Sequence, residues 1–339
     1  MKPLLRVRNF FSAHLPGTSS RRRRHSIMKV RSLMDCMPNE ILSHIFQLLL
    51  LDPEQNPVFS FSITQVCARW RDLAISSPGL WTRIAFTFPV SNEQFSRAAC
   101  ALERSQNHPL DILLDCRDPE WDWDEEGHSF QWSGMQDIVE RLLPHASRWR
   151  TLVVLTDTWL PIYALLRLTK NLDALPQLEV VSLSRCNAFF AAMGQVFQPM
   201  ALAEPVPLFG GAVVEKLREL SLVGVHVDWG RTAAFHGLTK LELKYHAHNV
   251  LPTLDEFAAI IEKCPQLENL SILGWGPRLD ATPPSSVTSI VLSSLKKFSF
   301  GFVDMHYGTR FLSLLQLPSL KELYLEDVAR TVSPLEPQD

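Results

Sequence analysis

The sequence predicts an α/β protein in two parts, a small helical module near the N-terminus and a longer region of repeated strands and helices. Two observations support this fold class. Residues 37–84 carry apolar side chains at helical spacing in three short segments separated by helix breakers. A Leu-x-x-Leu-x-Leu skeleton then returns six times, and its alternation is typical of strands. With 339 residues and a hydrophobic content of 46%, the chain can bury a sizeable core.

Residues 1–34 form a basic segment that we expect to be a disordered tail. The segment holds nine Lys and Arg, among them Arg21–Arg24, and no Asp or Glu. Because the whole chain carries a formal charge of −3, residues 35–339 carry −12 (−3 minus 9). Three interpretations stay open: a solvated tail, a nuclear import signal, and an Arg- and Ser-rich mitochondrial presequence. The expected location is cytoplasmic, nuclear or both.

Residues 35–86 are predicted to form the helical module. Pro38 suits a first helical position, and Glu40 places a negative charge in the first turn. Apolar residues mark the three helices as Ile41, Leu42, Ile45, Phe46 and Leu49, then Ile63, Val66, Cys67, Trp70 and Leu73, then Leu80, Trp81 and Ile84. So short a module has a thin core, so many of these side chains would complete their burial against a partner.

The ordered set of motifs resembles the F-box. It comprises Pro-x-Glu-Ile-Leu from Pro38, Val-Cys-x-x-Trp-Arg from Val66 and Pro-x-Leu-Trp from Pro78. The resemblance implies docking onto a Skp-type adaptor and, through it, a cullin. It assigns adaptor binding to Pro38, Glu40, Ile41, Leu42, Ile45, Phe46, Leu49, Val66, Cys67, Trp70, Leu80 and Trp81. The chain has Met37 where the family often has Leu. The alternative is an ordinary helical hairpin inside a larger core.

Residues 87–148 are predicted to be a linker with the first helix and strand units. Helix starts are indicated by Ser91 with Gln94 and by Ser133 with Gln136. Between them, residues 119–132 combine clustered acids with Trp121, Trp123 and Trp132. Two interpretations are open: a solvated loop with one or two buried Trp, or a site for a basic peptide.

Residues 149–339 contain the repeated skeletons, which resemble irregular leucine-rich repeats. They start at Leu178, Leu217, Leu238, Leu267, Leu295 and Leu320, with a looser one at Trp149. F-boxes followed by such repeats are abundant in fungi. The resemblance implies a solenoid with a parallel sheet on the concave face and helices on the convex face. The alternative is an unrelated α/β domain with scattered leucines. An insert, residues 186–211, either packs on the repeats or forms an exposed apolar lip.

Strand alternation separates core from surface in this region. Leu220, Leu222, Leu241, Leu243, Leu270 and Ile272 are predicted to point inward. Their neighbours form a face of Ser and both charge signs, which suits a polar protein surface better than a nucleic acid. The candidate substrate-binding residues there are Ser221, Lys240, Glu242, Lys244, Ser271 and Tyr324. Plain solvation is the alternative for any single one of them.

Motifs of catalysis are missing from the sequence, so we expect no enzyme activity, cofactor or metal. There is no H-E-x-x-H, Gly-rich phosphate loop, G-x-S-x-G or C-x-x-C. No apolar run reaches membrane-spanning length, and no membrane or nucleic-acid partner is expected. The resemblance implies a substrate-recognition subunit of a Skp–cullin–F-box ubiquitin ligase that recruits an unknown protein. The alternative is an interaction scaffold that does not promote ubiquitination.

Overall fold

The computed structural model describes residues 33–50, 58–186, 195–212, 214–231, 233–280 and 286–328. The predicted tail up to residue 32, the breaker cluster 51–57, insert residues 187–194 and everything after residue 328 lie outside these ranges. The chain divides into two compact units, Met1–Leu42 and Ser43–Asp339, here called the N-terminal unit and the main unit.

The helical module differs from the prediction in two places. A short helix α1, Leu33–Cys36, begins inside the predicted tail, and α2 follows at Asn39–Leu50. The second predicted helix is two helices, α3 at Phe59–Val66 and α4 at Ala68–Ile75. Cys67 separates them because its backbone is extended, with φ −157° and ψ 169°, and its sulfur accepts a hydrogen bond from the Trp70 amide at 3.5 Å. The third is a 3₁₀ helix, Pro78–Trp81.

A nine-stranded parallel sheet forms the centre of the main unit. Its strands follow one another in chain order: β1 (Arg83–Thr87), β2 (Leu110–Asp115), β3 (Trp149–Thr156), β4 (Val180–Arg185), β5 (Glu219–Val223), β6 (Lys240–Lys244), β7 (Asn269–Gly274), β9 (Lys297–Phe302) and β11 (Glu322–Asp327). β8 (Ile290–Val291) and β10 (Leu315–Gln316) form a separate parallel pair. The predicted parallel sheet is confirmed, and it begins earlier than predicted, since Ile84 lies in β1 and not in a third helix.

Helices connect many of these strands. They are α5 (Asn92–Arg104), α6 (Trp132–Leu142), α7 (Trp159–Leu168), α8 (Leu254–Glu262) and α9 (Met305–Ser313). Ser91 caps α5 as predicted, and Thr253 forms a capping box with Glu256 at α8. The predicted cap at Ser133 is wrong, because α6 begins one residue earlier at Trp132. Among the described residues, no helix is long and apolar enough to cross a membrane.

The core lies along one face of the sheet. All six residues predicted to point inward are buried, from Leu220 to Ile272. Phe298 and Phe300 stack at 5.8 Å, and Phe300 contacts Phe311 of α9 at 5.5 Å. Because successive side chains of a strand point to opposite faces, the polar residues between these core positions lie on the other face of the sheet. Assignment of the region to leucine-rich repeats, and curvature into a solenoid, stay predictions.

Candidate functional site

Helix α2 carries two apolar stripes with different exposure. Leu42 and Phe46 are buried, at 0% and 2% exposure. Ile41, Leu48 and Leu49 are 50%, 51% and 37% exposed, and Ile45 is half-buried. Within the main unit, Ile45 and Leu48 are three residues apart and therefore lie on the same side of α2. Exposed apolar side chains in such a row are typical of an interaction surface.

Aromatic contacts hold the module's part of the main unit together. Phe46 meets Trp70 edge to face at 4.9 Å, and Phe61 meets Trp81 at 5.1 Å. The Trp81 indole donates to the Ala74 carbonyl, and Arg104 lies 4.4 Å from the Trp81 ring centroid. Leu80 and Trp81 are each only 1% exposed. Leu80 and Trp81 therefore stabilise the fold through their burial.

The predicted adaptor-binding set thus separates into three groups. Leu42, Phe46, Leu80 and Trp81 are buried, and Ile45 and Trp70 are half-buried. The exposed members are Pro38, Glu40, Ile41, Leu49, Val66 and Cys67. Val66 is the most open apolar one at 59%. Two further apolar residues of the main unit's part of the module, Leu48 and Ile75, lie outside the predicted set and are 51% and 43% exposed. The spacing of seven from Ile41 to Leu48 could have identified Leu48.

The predicted substrate face is a set of rows across the sheet. One row aligns Ser182, Ser221, Glu242, Ser271, Ser299 and Tyr324, since each is the register partner of the next. Lys240 and Lys244 lie in the rows on either side of Glu242. Tyr324 is 59% exposed, and the other five predicted residues are half-buried.

A groove of about 490 Å³ lies on this face. It brings together five of the six predicted residues: Lys240, Glu242, Lys244, Ser271 and Tyr324. The sixth, Ser221, donates to Glu242 Oε2 at 2.9 Å. The groove therefore combines hydroxyl groups with charges of both signs, which suits a polar segment of a protein.

Glu242 lies between two lysines in this groove. Its carboxylate is 3.5 Å from Lys240 Nζ and 3.4 Å from Lys244 Nζ. Burial alone would raise the pKa of Glu242, but the Ser221 hydrogen bond and the two lysines hold that pKa below its ordinary value. Both lysines are thus engaged with Glu242 before any partner arrives.

The acidic, Trp-containing loop is mostly exposed, as the solvated interpretation expects, but the expected buried Trp is wrong. None of its three Trp is buried: Trp121 and Trp132 are half-buried and Trp123 is 74% exposed.

In the part of the chain that the structure describes, no three His, Cys, Asp or Glu side chains are grouped closely enough to hold a metal ion. His246 is buried and donates from Nε2 to the Val225 carbonyl at 2.8 Å.

Comparison with protein families identifies the helical module. Residues 34–87 match the family model described as F-box-like, which confirms the resemblance. The predicted limits, 35 and 86, differ from the match by one residue at each end. No curated protein matches the chain. The F-box-like domain implies a role in binding a Skp-type adaptor within Skp–cullin–F-box ubiquitin ligases.

Proposed function

We propose that this chain, an F-box protein by its F-box-like domain at residues 34–87, is the non-catalytic substrate receptor of a Skp–cullin–F-box ubiquitin ligase. The domain binds the Skp-type adaptor and, through it, the cullin. The strand region recruits a protein substrate. The observation that carries the proposal is the set of exposed apolar side chains on the domain's part of the main unit, Leu48, Leu49, Val66 and Ile75.

Burial of these side chains provides the energy for docking. A fully buried Leu, Ile or Val contributes about 1.5–3 kcal/mol relative to an exposed one. Leu48 and Val66 are 51% and 59% exposed, so each has roughly half of its surface left to bury. Buried Phe46 and Trp81 meanwhile keep the helices in place, so the surface is present before the adaptor binds.

The groove on the sheet face supports the substrate part of the proposal. Ser271, Tyr324 and the Lys240–Glu242–Lys244 row offer hydrogen bonds and both charge signs to a polar peptide. We propose that the strand region is an irregular leucine-rich-repeat solenoid, consistent with strands that follow chain order across the sheet. Holding a substrate near a ubiquitin-loaded enzyme raises its effective concentration, and the chain itself contributes no chemistry.

The proposal also covers location. Arg21–Arg24 support nuclear import, so we place the protein in the cytoplasm, the nucleus or both. Fusion of residues 1–34 to a fluorescent reporter tests this. Nuclear enrichment that is lost on replacing the four arginines by alanine is the expected result, and enrichment in mitochondria would contradict it.

Co-purification of the full chain with a Skp-type adaptor tests adaptor docking. The Leu48→Asp/Val66→Asp variant should lose at least tenfold in affinity, because two charges enter the apolar surface. The matched control is Gln47→Asp/Gln65→Asp, which places the same charges at exposed neighbouring positions of the same helices and should bind normally. Equal adaptor binding by wild type and the Leu48/Val66 variant would reject the proposal.

A second measurement separates the receptor from the scaffold. Reconstituted ligase containing this chain should ubiquitinate proteins that co-purify with it, and the Leu48→Asp/Val66→Asp variant should not support that reaction. Adaptor binding without any ubiquitination of co-purified proteins would favour the scaffold.

A further inference from the structure

A cleft of about 610 Å³ lies where four neighbouring strands of the main unit end. Its lining includes Thr87 and Asp115, the last residues of β1 and β2. It also includes Asp157 and Cys186, which directly follow β3 and β4. Because these strands are parallel, their carboxyl ends meet at one edge of the sheet, a common location for binding sites. The cleft shares no lining residue with the groove on the sheet face.

Two tryptophans from the loop after β2 form part of the cleft wall. The Trp121 and Trp123 ring centroids are 5.3 Å apart. Trp123 is 74% exposed, although Trp is a residue type that usually loses most of its surface on folding. Its φ of +71° lies in the left-handed region, which is unfavourable for a side chain of this size. The fold thus holds a large aromatic ring open to solvent at an energetic cost.

Hydrogen bonds and an ion pair attach the loop that carries the tryptophans to neighbouring strands and to α7. Glu125 accepts a 2.8 Å hydrogen bond from the Trp159 amide. It also forms a 2.7 Å ion pair with Arg185, and the Arg185 side chain is only 4% exposed. Asp157 Oδ2 accepts from the Asp118 amide at 2.6 Å. These bonds connect the loop to β4, to the end of β3 and to α7. The cleft is therefore preorganised, which lowers the entropy cost of binding.

The charge of the loop is strongly negative. Residues 118–126 contain six Asp or Glu and no Lys or Arg. Within the described ranges, Glu125 is the one of these six with a cation in ion-pair distance, Arg185. The one arginine of the cleft lining, Arg117, is held by Asp115 through two hydrogen bonds of 2.7 and 2.6 Å. Of the three carboxylates in the cleft lining, Asp115 is paired with Arg117 and Asp157 lies 3.0 Å from His128 Nε2. The negative charge beside the aromatic faces therefore comes from Asp118 and from the other acidic residues of the loop.

We propose that this cleft binds a basic peptide segment of a partner protein. An arginine or lysine of the segment would lie against the Trp121 and Trp123 faces, where a cation is attracted to the ring, and its neighbours would meet the loop carboxylates. The identification of that partner as the recruited substrate rests on the proposed function. The binding of a basic peptide does not depend on the adaptor.

Fluorescence anisotropy of the full chain with a labelled peptide tests the proposal. The probe is a fluorescein-labelled peptide with four consecutive arginines between glycine and serine residues, and its control has glutamine in place of each arginine. The arginine peptide should bind at least tenfold more tightly, and its affinity should fall as salt rises. Equal binding of the two peptides would overturn the proposal.

Variants locate the site. Trp123→Ala and Trp123→Gly should each weaken arginine-peptide binding at least tenfold. The glycine variant should keep or raise the Tm, because glycine adopts φ +71° without strain. This pairing separates lost binding from lost folding. Unchanged peptide affinity in both Trp123 variants would overturn the proposal.

Charge is tested separately. Asp118→Asn/Asp122→Asn removes two charges and keeps the acceptors for the Glu120 and Asp124 amides. It should weaken binding and flatten the salt dependence. Asp173→Asn/Glu262→Gln changes the net charge equally at exposed positions outside the cleft lining and should bind normally. Equal loss in both double variants would mean that overall charge, not the cleft, attracts the peptide.

Two further readouts complete the test. Sedimentation of the chain alone should show a mass that does not depend on Trp123, since Trp123-dependent self-association would make a second copy the occupant and overturn the proposal. Adaptor co-purification should be normal for every cleft variant. Loss of peptide binding with adaptor binding retained therefore supports the cleft, whereas failure of the Leu48/Val66 test would affect only the adaptor.

Discussion

The Trp81 indole Nε1–H donates a 2.8 Å hydrogen bond to the carbonyl oxygen of Ala74, and both residues are buried. The bond connects the 3₁₀ helix to the last turn of α4, seven residues earlier. A buried indole N–H needs such a partner. The position of Trp81 in the F-box-like motif thus has a structural explanation that needs no partner protein.

Trp81 is expected to act through stability. Trp81→Ala removes the largest buried side chain of this region and should cost about 3–5 kcal/mol of unfolding free energy. Val66→Ala, at an exposed site of the same domain, should stay within about 0.5 kcal/mol. Urea denaturation measures both. A Trp81→Ala variant of normal stability that fails to bind the adaptor would instead make Trp81 a contact residue.

Cys67 is expected to act as a helix cap. Because its sulfur accepts from the Trp70 amide, Cys67→Ser should keep the cap with a better acceptor and leave the Tm equal or higher. Cys67→Ala should cost about 1 kcal/mol. Thermal denaturation of the pair gives the comparison. Identical Tm values for Ser and Ala variants would show that the cap contributes nothing.

The two groove lysines need different substitutions for stability and for binding. Lys240→Glu/Lys244→Glu places carboxylates on both sides of Glu242, so it should lower the Tm through repulsion. Lys240→Gln/Lys244→Gln removes only exposed or half-exposed ion pairs and should change stability by about 1 kcal/mol or less. Loss of co-purified proteins with the glutamine variant, measured by quantitative mass spectrometry, is the expected result. An unchanged set of partners would place the substrate site elsewhere.

Two buried histidines should make the fold sensitive to acid. Burial lowers the pKa of His226 to about 3 and that of His246 to about 4, from an ordinary 6.5. Each Nε2 faces a backbone carbonyl, of Ala203 and Val225 respectively, and each Nδ1 is buried without a partner in the described part of the chain. Both rings are therefore neutral in the folded protein.

The sign of the pH effect follows from these depressed values. In the unfolded state both histidines become protonated below about pH 6.5. In the folded state they become protonated only at about pH 3–4. Stability is thus complete above 6.5 and declines as the pH falls, by about 2 kcal/mol per histidine at pH 5. Urea denaturation at pH 7.5 and pH 5 measures the decline, and His226→Gln/His246→Gln should reduce it. An equal decline in that variant would assign the effect to other groups.

The sequence by itself determined the parts of this protein that depend on local pattern. The motifs from Pro38 to Trp81 identified the F-box-like domain, because its helices are marked by consecutive residues. Alternation fixed which strand residues are core, since Leu220 and Leu222 must share a face while Ser221 takes the other. The row from Ser182 to Tyr324 followed once the strands were parallel and in order.

Tertiary structure alone decided which apolar residues remain exposed and which distant residues meet. Phe46 and Leu48 are both apolar in sequence, yet only the packing of neighbouring elements buries Phe46 and leaves Leu48 open. The packing of neighbouring elements likewise buries Leu80, which the motif had assigned to a contact. The cleft joins Thr87 to Cys186 because four parallel strands end at one edge of the sheet. Such a meeting depends on long-range strand register, which no local spacing in the sequence encodes.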